Sequence, residues 1–107
     1  MKTMISSSGN KLSSSFDLRF GRAAWFCLLD EETGDTSFIE NQQNEGSQGA
    51  CSRVAKQVVE LGAKRVISGD FGPRARTLLE KFNIQMVVLT DDNRTVNDVI
   101  KSIKKAR

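Results

Sequence analysis

The groups able to do chemistry in this chain are arginines, glycine-bearing turns and two thiols; histidine is absent. The stretch RFGR, Arg19 to Arg22, sets two guanidinium groups around a Phe-Gly pair just before the apolar run Ala23–Leu29. Guanidinium is a planar fork that can hold a carboxylate, phosphate or other anion at two points, and Gly21 would let a ligand approach the backbone. Either arginine could instead pair with Asp17 or Asp70 and tie its loop down. Arg22 lies nearest the apolar run and is read as a ligand contact; for Arg19 both readings stay open. The stretch SGDFGPRAR, residues 68–76, places Gly69 and Gly72 between an expected strand and an expected helix. A backbone there can cradle an anion, although glycine in such a turn also serves packing alone. Arg74 and Arg76 follow at the helix start, where a cation opposes the dipole unless an anion or carboxylate is near. Otherwise they form a solvated helix face, the reading preferred for Arg76. The DFG letters match a kinase metal-binding motif, but the glycine-rich loop, the catalytic-loop motif and the necessary length are missing, which excludes a kinase.

Cys51 falls in the first turn of an expected helix, where the dipole lowers a thiol pKa and could present a thiolate to a metal; the alternative is small-residue packing. Cys27 lies inside the apolar run and is assigned to the core. The two thiols make no CxxC pair and no four-ligand set, so no tightly held zinc or iron-sulfur cube is expected. Cys51 is the one metal-ligand candidate. Asp91, Asp92 and Asn93 read as turn and capping residues before metal ligands. Without histidine, the commonest general base and nitrogen ligand are both missing.

These groups must be positioned by a small scaffold. A chain of 107 residues supports one domain, residues 1–107, with one modest core. Its 38% hydrophobic and 27% charged content is that of a soluble globular protein. No apolar run reaches membrane-spanning length, and MKTMISSSGN turns polar too early for a signal peptide, so a cytoplasmic protein with free thiols is expected. The net charge of +3 is partly local: Lys101, Lys104, Lys105 and Arg107 crowd the chain end, as suits a solvated helix terminus. No aromatic residues interleave with them, so nucleic acid is not an expected partner.

Lys2–Ser6 reads as a short, poor strand, followed by a Ser/Gly/Asn-rich loop to about Gly21. Ala23–Leu29 is a strand covered on both faces, Asp30–Asp35 a hairpin turn, and Thr36–Asn41 the returning strand. The spacing of Val54, Ala55, Val58, Val59 and Leu61 predicts a helix ending at Gly62. A buried strand follows at Val66–Ser68, then a helix from Pro73 that ends at Asn83, a strand at Ile84–Leu89, and a last helix capped by Thr95. The order β-β-β-α-β-α-β-α predicts a mixed five-stranded sheet with helices on both faces. One edge of it should collect the loops 7–22, 42–49, 69–72 and 90–94, together with the N-termini of all three helices and their unpaired N–H donors. That edge is a site for something anionic.

The segments FDLRFGRAAWFCLLDEETG and QGACSRVAKQVVELGAKRVISGDFGPRARTLLEKFNIQMVV, with the final helix, resemble the dinitrogenase iron-molybdenum cofactor biosynthesis family in order and spacing. The resemblance covers nearly the whole chain, and RFGRA and GPRA are its most specific elements. It implies a three-layer α/β/α, ribonuclease-H-like fold. It also implies a non-catalytic binder or carrier of iron-molybdenum cofactor or a precursor iron-sulfur cluster, with a protein partner in cofactor assembly. The implied contacts are Arg19, Gly21, Arg22, Gln48, Gly49, Cys51, Gly69, Phe71, Gly72 and Arg74, with Cys51 the candidate metal ligand. Family members often carry His-Gly where this chain has Gln48-Gly49, and Cys or Asn where it has Phe71. A metal-independent module for a small anion or nucleotide is the alternative. A nuclease is disfavoured, because KTMIS carries no carboxylate for two-metal chemistry.

Overall fold

Met4 and Ile5 are adjacent in sequence and fully buried in separate cores, which can happen only in a strand covered on both faces. The computed structural model describes residues 1–41, 50–91 and 93–105, with backbone only at Ala50, Cys51, Ser52, Lys104 and Lys105. Its elements are β1 (Lys2–Ser7), β2 (Trp25–Asp30), β3 (Thr36–Glu40), α1 (Ala50–Glu60), β4 (Ala63–Ser68), α2 (Pro73–Lys81), β5 (Gln85–Val88) and α3 (Val96–Lys105). The element order is the predicted one, and the strands form one five-stranded sheet in the order β3-β2-β1-β4-β5. β1 runs antiparallel to β2 and parallel to β4; β2–β3 is antiparallel and β4–β5 parallel. No described helix is long and apolar enough to cross a membrane.

The two cores explain the layers. On one face Met4, Phe26 and Val66 pack with Val54, Ala55 and Val58 of α1 and Ala75 and Leu79 of α2. On the other, Ile5, Cys27, Leu29 and Ile67 pack with Val96, Val99 and Ile100 of α3. The result is three-layered, α/β/α. The apolar run before Asp30 thus splits between two cores, Phe26 to one and Cys27 and Leu29 to the other. Burial pushes the free Cys27 thiol up to about 11, so it is inert at neutral pH.

Several boundaries move. The poor strand candidate Lys2–Ser6 is the central strand, paired on both sides, and its polar Thr3, Ser6 and Ser7 are fully buried. The strand expected from Ala23 begins at Trp25, because Ala23 and Ala24 still belong to the turn before it. β4 starts earlier than Val66, at Ala63, and α1 starts at Ala50. The terminators act as expected: Gly34 (φ 82°) in the hairpin, Gly62 (φ 77°) after α1 and Asn83 (φ 58°) after α2 occupy the left-handed region.

At the end of the sheet away from the loops, a polar row crosses the strands on the α3 face. Thr3 donates to Glu31 at 2.7 Å, Arg65 contacts Glu31 at 3.5 Å, and Arg65 Nε donates to Gln85 at 3.0 Å. The Glu31 carboxylate is nearly buried, with 3% exposure, and these donors replace its water.

α3 begins with a reciprocal cap. The Thr95 N–H donates to Asp98 Oδ2 at 3.0 Å, and the Asp98 N–H donates to Thr95 Oγ1 at 3.1 Å. Hydrogen bonding from the Thr95 backbone and side chain holds the Asp98 carboxyl below its usual range. Replacing Thr95 by Ala is expected to cost about 1 kcal/mol in chemical denaturation. A depressed carboxyl contributes stability present above its unfolded pKa of ~3.9 and lost as pH falls through the lower folded value. The stability gap between the parent and Asp98→Asn, measured by urea melts, should therefore be constant near neutrality and close on acidification below that range.

Candidate functional site

The strand directions put the C-terminal ends of β1, β3, β4 and β5 and the start of β2 on one edge. Within it, β1 and β4 are neighbours whose next strands lie on opposite sides, β2 to one and β5 to the other. This is the topological switch point, where open α/β sheets leave a crevice. Its floor is closed by side chains. The Ser6 hydroxyl at the end of β1 donates to Ser68 Oγ at the end of β4 at 2.8 Å and also reaches the Asp17 carbonyl. The Asp17 N–H returns to the Ser6 carbonyl at 3.0 Å.

Above this floor the two motif loops lie side by side. Leu18 rests on Gly69 so closely that a Cβ added there would stand 2.8 Å from the Leu18 Cα and 2.6 Å from its Cβ. Gly69 is therefore a packing glycine. Arg19 and Asp70 form a parallel backbone bridge, and the buried rings of Phe20 and Phe71 meet at a centroid distance of 5.1 Å. The two Phe-Gly pairs thus run alongside each other, each with its ring in the core; Arg22 follows the first directly, and Arg74 follows the second after Pro73. Phe71, 5% exposed, is held in that core and leaves little more than its backbone to the edge.

The arginines separate into different roles. Arg19 is bidentate to Asp17, with Nε at 3.1 Å from Oδ1 and Nη2 at 3.2 Å from Oδ2, and its own N–H donates to the same carboxylate at 2.9 Å. Those hydrogen bonds and the adjacent charge push its pKa further up. Of the two readings open for Arg19, the structure shows the tie to Asp17. Arg22 is exposed and makes no side-chain ion pair or hydrogen bond to a described residue. Arg74 is exposed at the start of α2, in a shallow depression of about 420 Å³ that it shares with Pro73, Thr77 and Leu78. Arg76 is exposed too.

The helix N-termini are not equivalent, which corrects the expectation that all three present free donors. α3 is closed: besides its cap, the Val96 and Asn97 N–H groups donate to the Ser14 and Leu12 carbonyls at 2.9 and 3.0 Å. The loop after β1 folds back to do this, and the Phe16 N–H donates to the Arg94 carbonyl at 2.8 Å. α2 is open: its N-cap Gly72 offers no side-chain bond, Pro73 has no N–H, and its first turn holds no acid. Asp91 pairs with Arg94 at 3.0 Å, consistent with a turn role. Gln48, Gly49 and Asp92 lie outside the described residues, as does the side chain of Cys51.

Some of the residues that build this edge carry no motif. Asn41, 1% exposed, donates from Nδ2 to the Gly21 and Ala23 carbonyls at 3.2 and 2.7 Å and so clasps the RFGR turn. The only local hint is a polar residue closing an otherwise ordinary edge strand. Among the described residues no group of three or more His, Cys, Asp or Glu could hold a metal ion. The chemistry on offer is the binding of negative charge by guanidinium and backbone N–H groups.

The profile described as dinitrogenase iron-molybdenum cofactor matches residues 1–106. An uncharacterized protein of Methanocaldococcus jannaschii is 25% identical over 104 residues, covering 94% of this chain and 83% of that one. The apo form of the orange protein from Desulfovibrio gigas superposes with a TM-score of 0.90 at 25% identity, covering 98% of this chain and 88% of its own. A Thermotoga protein provisionally assigned as NifB superposes at 0.81 with 26% identity, covering 99% and 89%.

The Leu18–Gly69 contact yields a direct test. Gly69→Ala must displace either the Leu18 backbone or the β4–α2 loop, and is expected to cost about 1–3 kcal/mol in urea denaturation. Gly34→Ala would probe a different effect, since open space surrounds that position and only its left-handed φ resists the change.

Proposed function

That the chain belongs to the dinitrogenase iron-molybdenum cofactor family is the premise from which we propose that it binds and carries a polyanionic metal-sulfur cluster, without catalysing a reaction on it. The observation that carries this reading is the pairing of the two Phe-Gly turns across the β1–β4 crevice. It brings the RFGR turn, with Arg22 exposed, alongside the loop that leads into the uncapped start of α2, where Arg74 is exposed next to a positive dipole end. The apo designation of the orange protein's structure implies a loaded counterpart of that neighbour, which supports the same reading.

The cargo is iron-molybdenum cofactor or an iron-sulfur precursor of it. The described residues fit its charge better than its metals: the ligand-type side chains make no cluster, Cys27 is sealed in the core, and histidine is missing from the whole chain. Retention by charge and backbone contacts suits a carrier, which must release its cargo to a partner protein. Cys51, at the start of α1, is the one candidate for a covalent metal contact, and Gln48 and Gly49 precede it on the same edge in sequence. Specificity would come from the spacing of donors, as in other anion sites at helix starts.

The test is anaerobic loading with isolated iron-molybdenum cofactor, followed by metal analysis and visible absorbance after gel filtration. Arg22→Gln and Arg74→Gln should each weaken retention about tenfold, the loss of one charge-assisted contact. Cys51→Ala should abolish retention if the thiol is a ligand and leave metal content unchanged if charge alone holds the cargo. Loading that ignores both arginine changes would overturn the proposed site. Thermal stabilisation by inorganic phosphate or a nucleotide, with no metal retained, would favour the metal-independent alternative.

A further inference from the structure

We propose that Asn41 is a positioning residue for anion binding: by clasping the backbone on both sides of Arg22, it sets the direction in which that guanidinium meets its ligand. This rests on the reading that anionic cargo binds this edge. Asn41 follows β3 and is 1% exposed, and both protons of its side-chain amide are used on the RFGR turn. Nδ2 donates to the carbonyls of Gly21 at 3.2 Å and Ala23 at 2.7 Å, the residues on either side of Arg22. The Asn41 N–H adds a further bond, to the Ala24 carbonyl at 3.0 Å. Of residues 20–23 only Arg22 is exposed. One buried side chain thus fixes the backbone beneath one outward cation.

The turn needs such a clasp. Gly21 stands directly before Arg22, and a glycine backbone leaves the direction of the next residue open. Any freedom left there has to be given up when an anion binds, which weakens the contact. The clasp is also neutral. Arg19 is held by the Asp17 carboxylate, so its charge is answered by the group that holds it. Arg22 is held through its neighbours' carbonyls by an uncharged amide, and its own side chain makes no ion pair or hydrogen bond to a described residue. Asparagine therefore fixes the turn and leaves the Arg22 charge to a ligand. An apolar residue at this position would take the donors from both carbonyls, and an aspartate would set a negative charge against them.

A double-mutant cycle, read by anaerobic retention of isolated iron-molybdenum cofactor, tests the role. Asn41→Ala should weaken retention about three- to tenfold, no more than Arg22→Gln does. In the Arg22→Gln background the same change should add less than about twofold, whereas with Arg74→Gln the two losses should multiply. Asn41→Ser, whose single hydroxyl proton cannot serve two carbonyls, should give the same pattern where Asn41→Ala does not fold. In the unsubstituted chain, backbone amide NMR relaxation should give residues 21–23 an order parameter of about 0.85, that of rigid backbone. Losses that multiply with Arg22→Gln, a folded Asn41 variant that retains cargo like the parent, or a mobile turn in the unsubstituted chain would each overturn the proposal while leaving the carrier reading in place. A parent that retains no cofactor overturns the carrier reading, and this inference with it.

Discussion

The edge at the C-terminal ends of β1 and β4 depends on one missing side chain. Because Gly69 has no Cβ, Leu18 can lie directly on the backbone between β4 and α2, and two loops distant in sequence become neighbours. The backbone bridge from Arg19 to Asp70 and the Phe20–Phe71 ring contact follow from that approach. The aromatic pair then anchors each turn in the core shared by α1 and α2, while Asn41 fixes the far side of the RFGR turn through two carbonyls. Steric permission thus comes first, and apolar burial and hydrogen bonding hold the result.

Electrostatic differentiation is built on this frame. Positive charge is distributed around the edge, but much of it is already answered: Arg19 by Asp17, Arg94 by Asp91, and the α3 dipole by Asp98 together with the carbonyls of Leu12 and Ser14. Among the described residues, Arg22 and Arg74 make no side-chain ion pair, and the start of α2 has no side-chain cap. On the proposed reading, such an edge would hold anionic cargo without tight metal ligation to undo on release.

Much of the architecture was legible because its signals are local. The run before Asp30, the helical spacing at Val54–Leu61, Gly62, Asn83 and Thr95 each act through neighbours in sequence, and each does so in the structure. The central strand was hard to see for the opposite reason. Lys2–Ser7 has only two apolar residues, and its buried Thr3 and Ser6 are satisfied by Glu31 and Ser68, partners that short-range patterns do not announce. Arg19 and Arg22 were legible as a pair of candidates, but that Arg19 is tied to Asp17 while Arg22 is exposed depends on the fold of the loop around Asp17. The closure of α3 by a loop from the other end of the chain was not legible at all, since backbone carbonyls carry no sequence signature.

That closure also orders events in time. The loop after β1 is fastened partly within itself and to β1, through the Ser8–Ser15, Ser14–Lys11 and Asp17–Ser6 backbone bonds, and partly to the segment around Arg94, Val96 and Asn97, far along the sequence. Synthesis on the ribosome therefore releases the loop long before this second set of partners emerges, so the closure of α3 comes late. The RFGR turn hangs from the same loop through Asp17. A nascent or clipped chain lacking the last helix would leave that side of the loop without its partners.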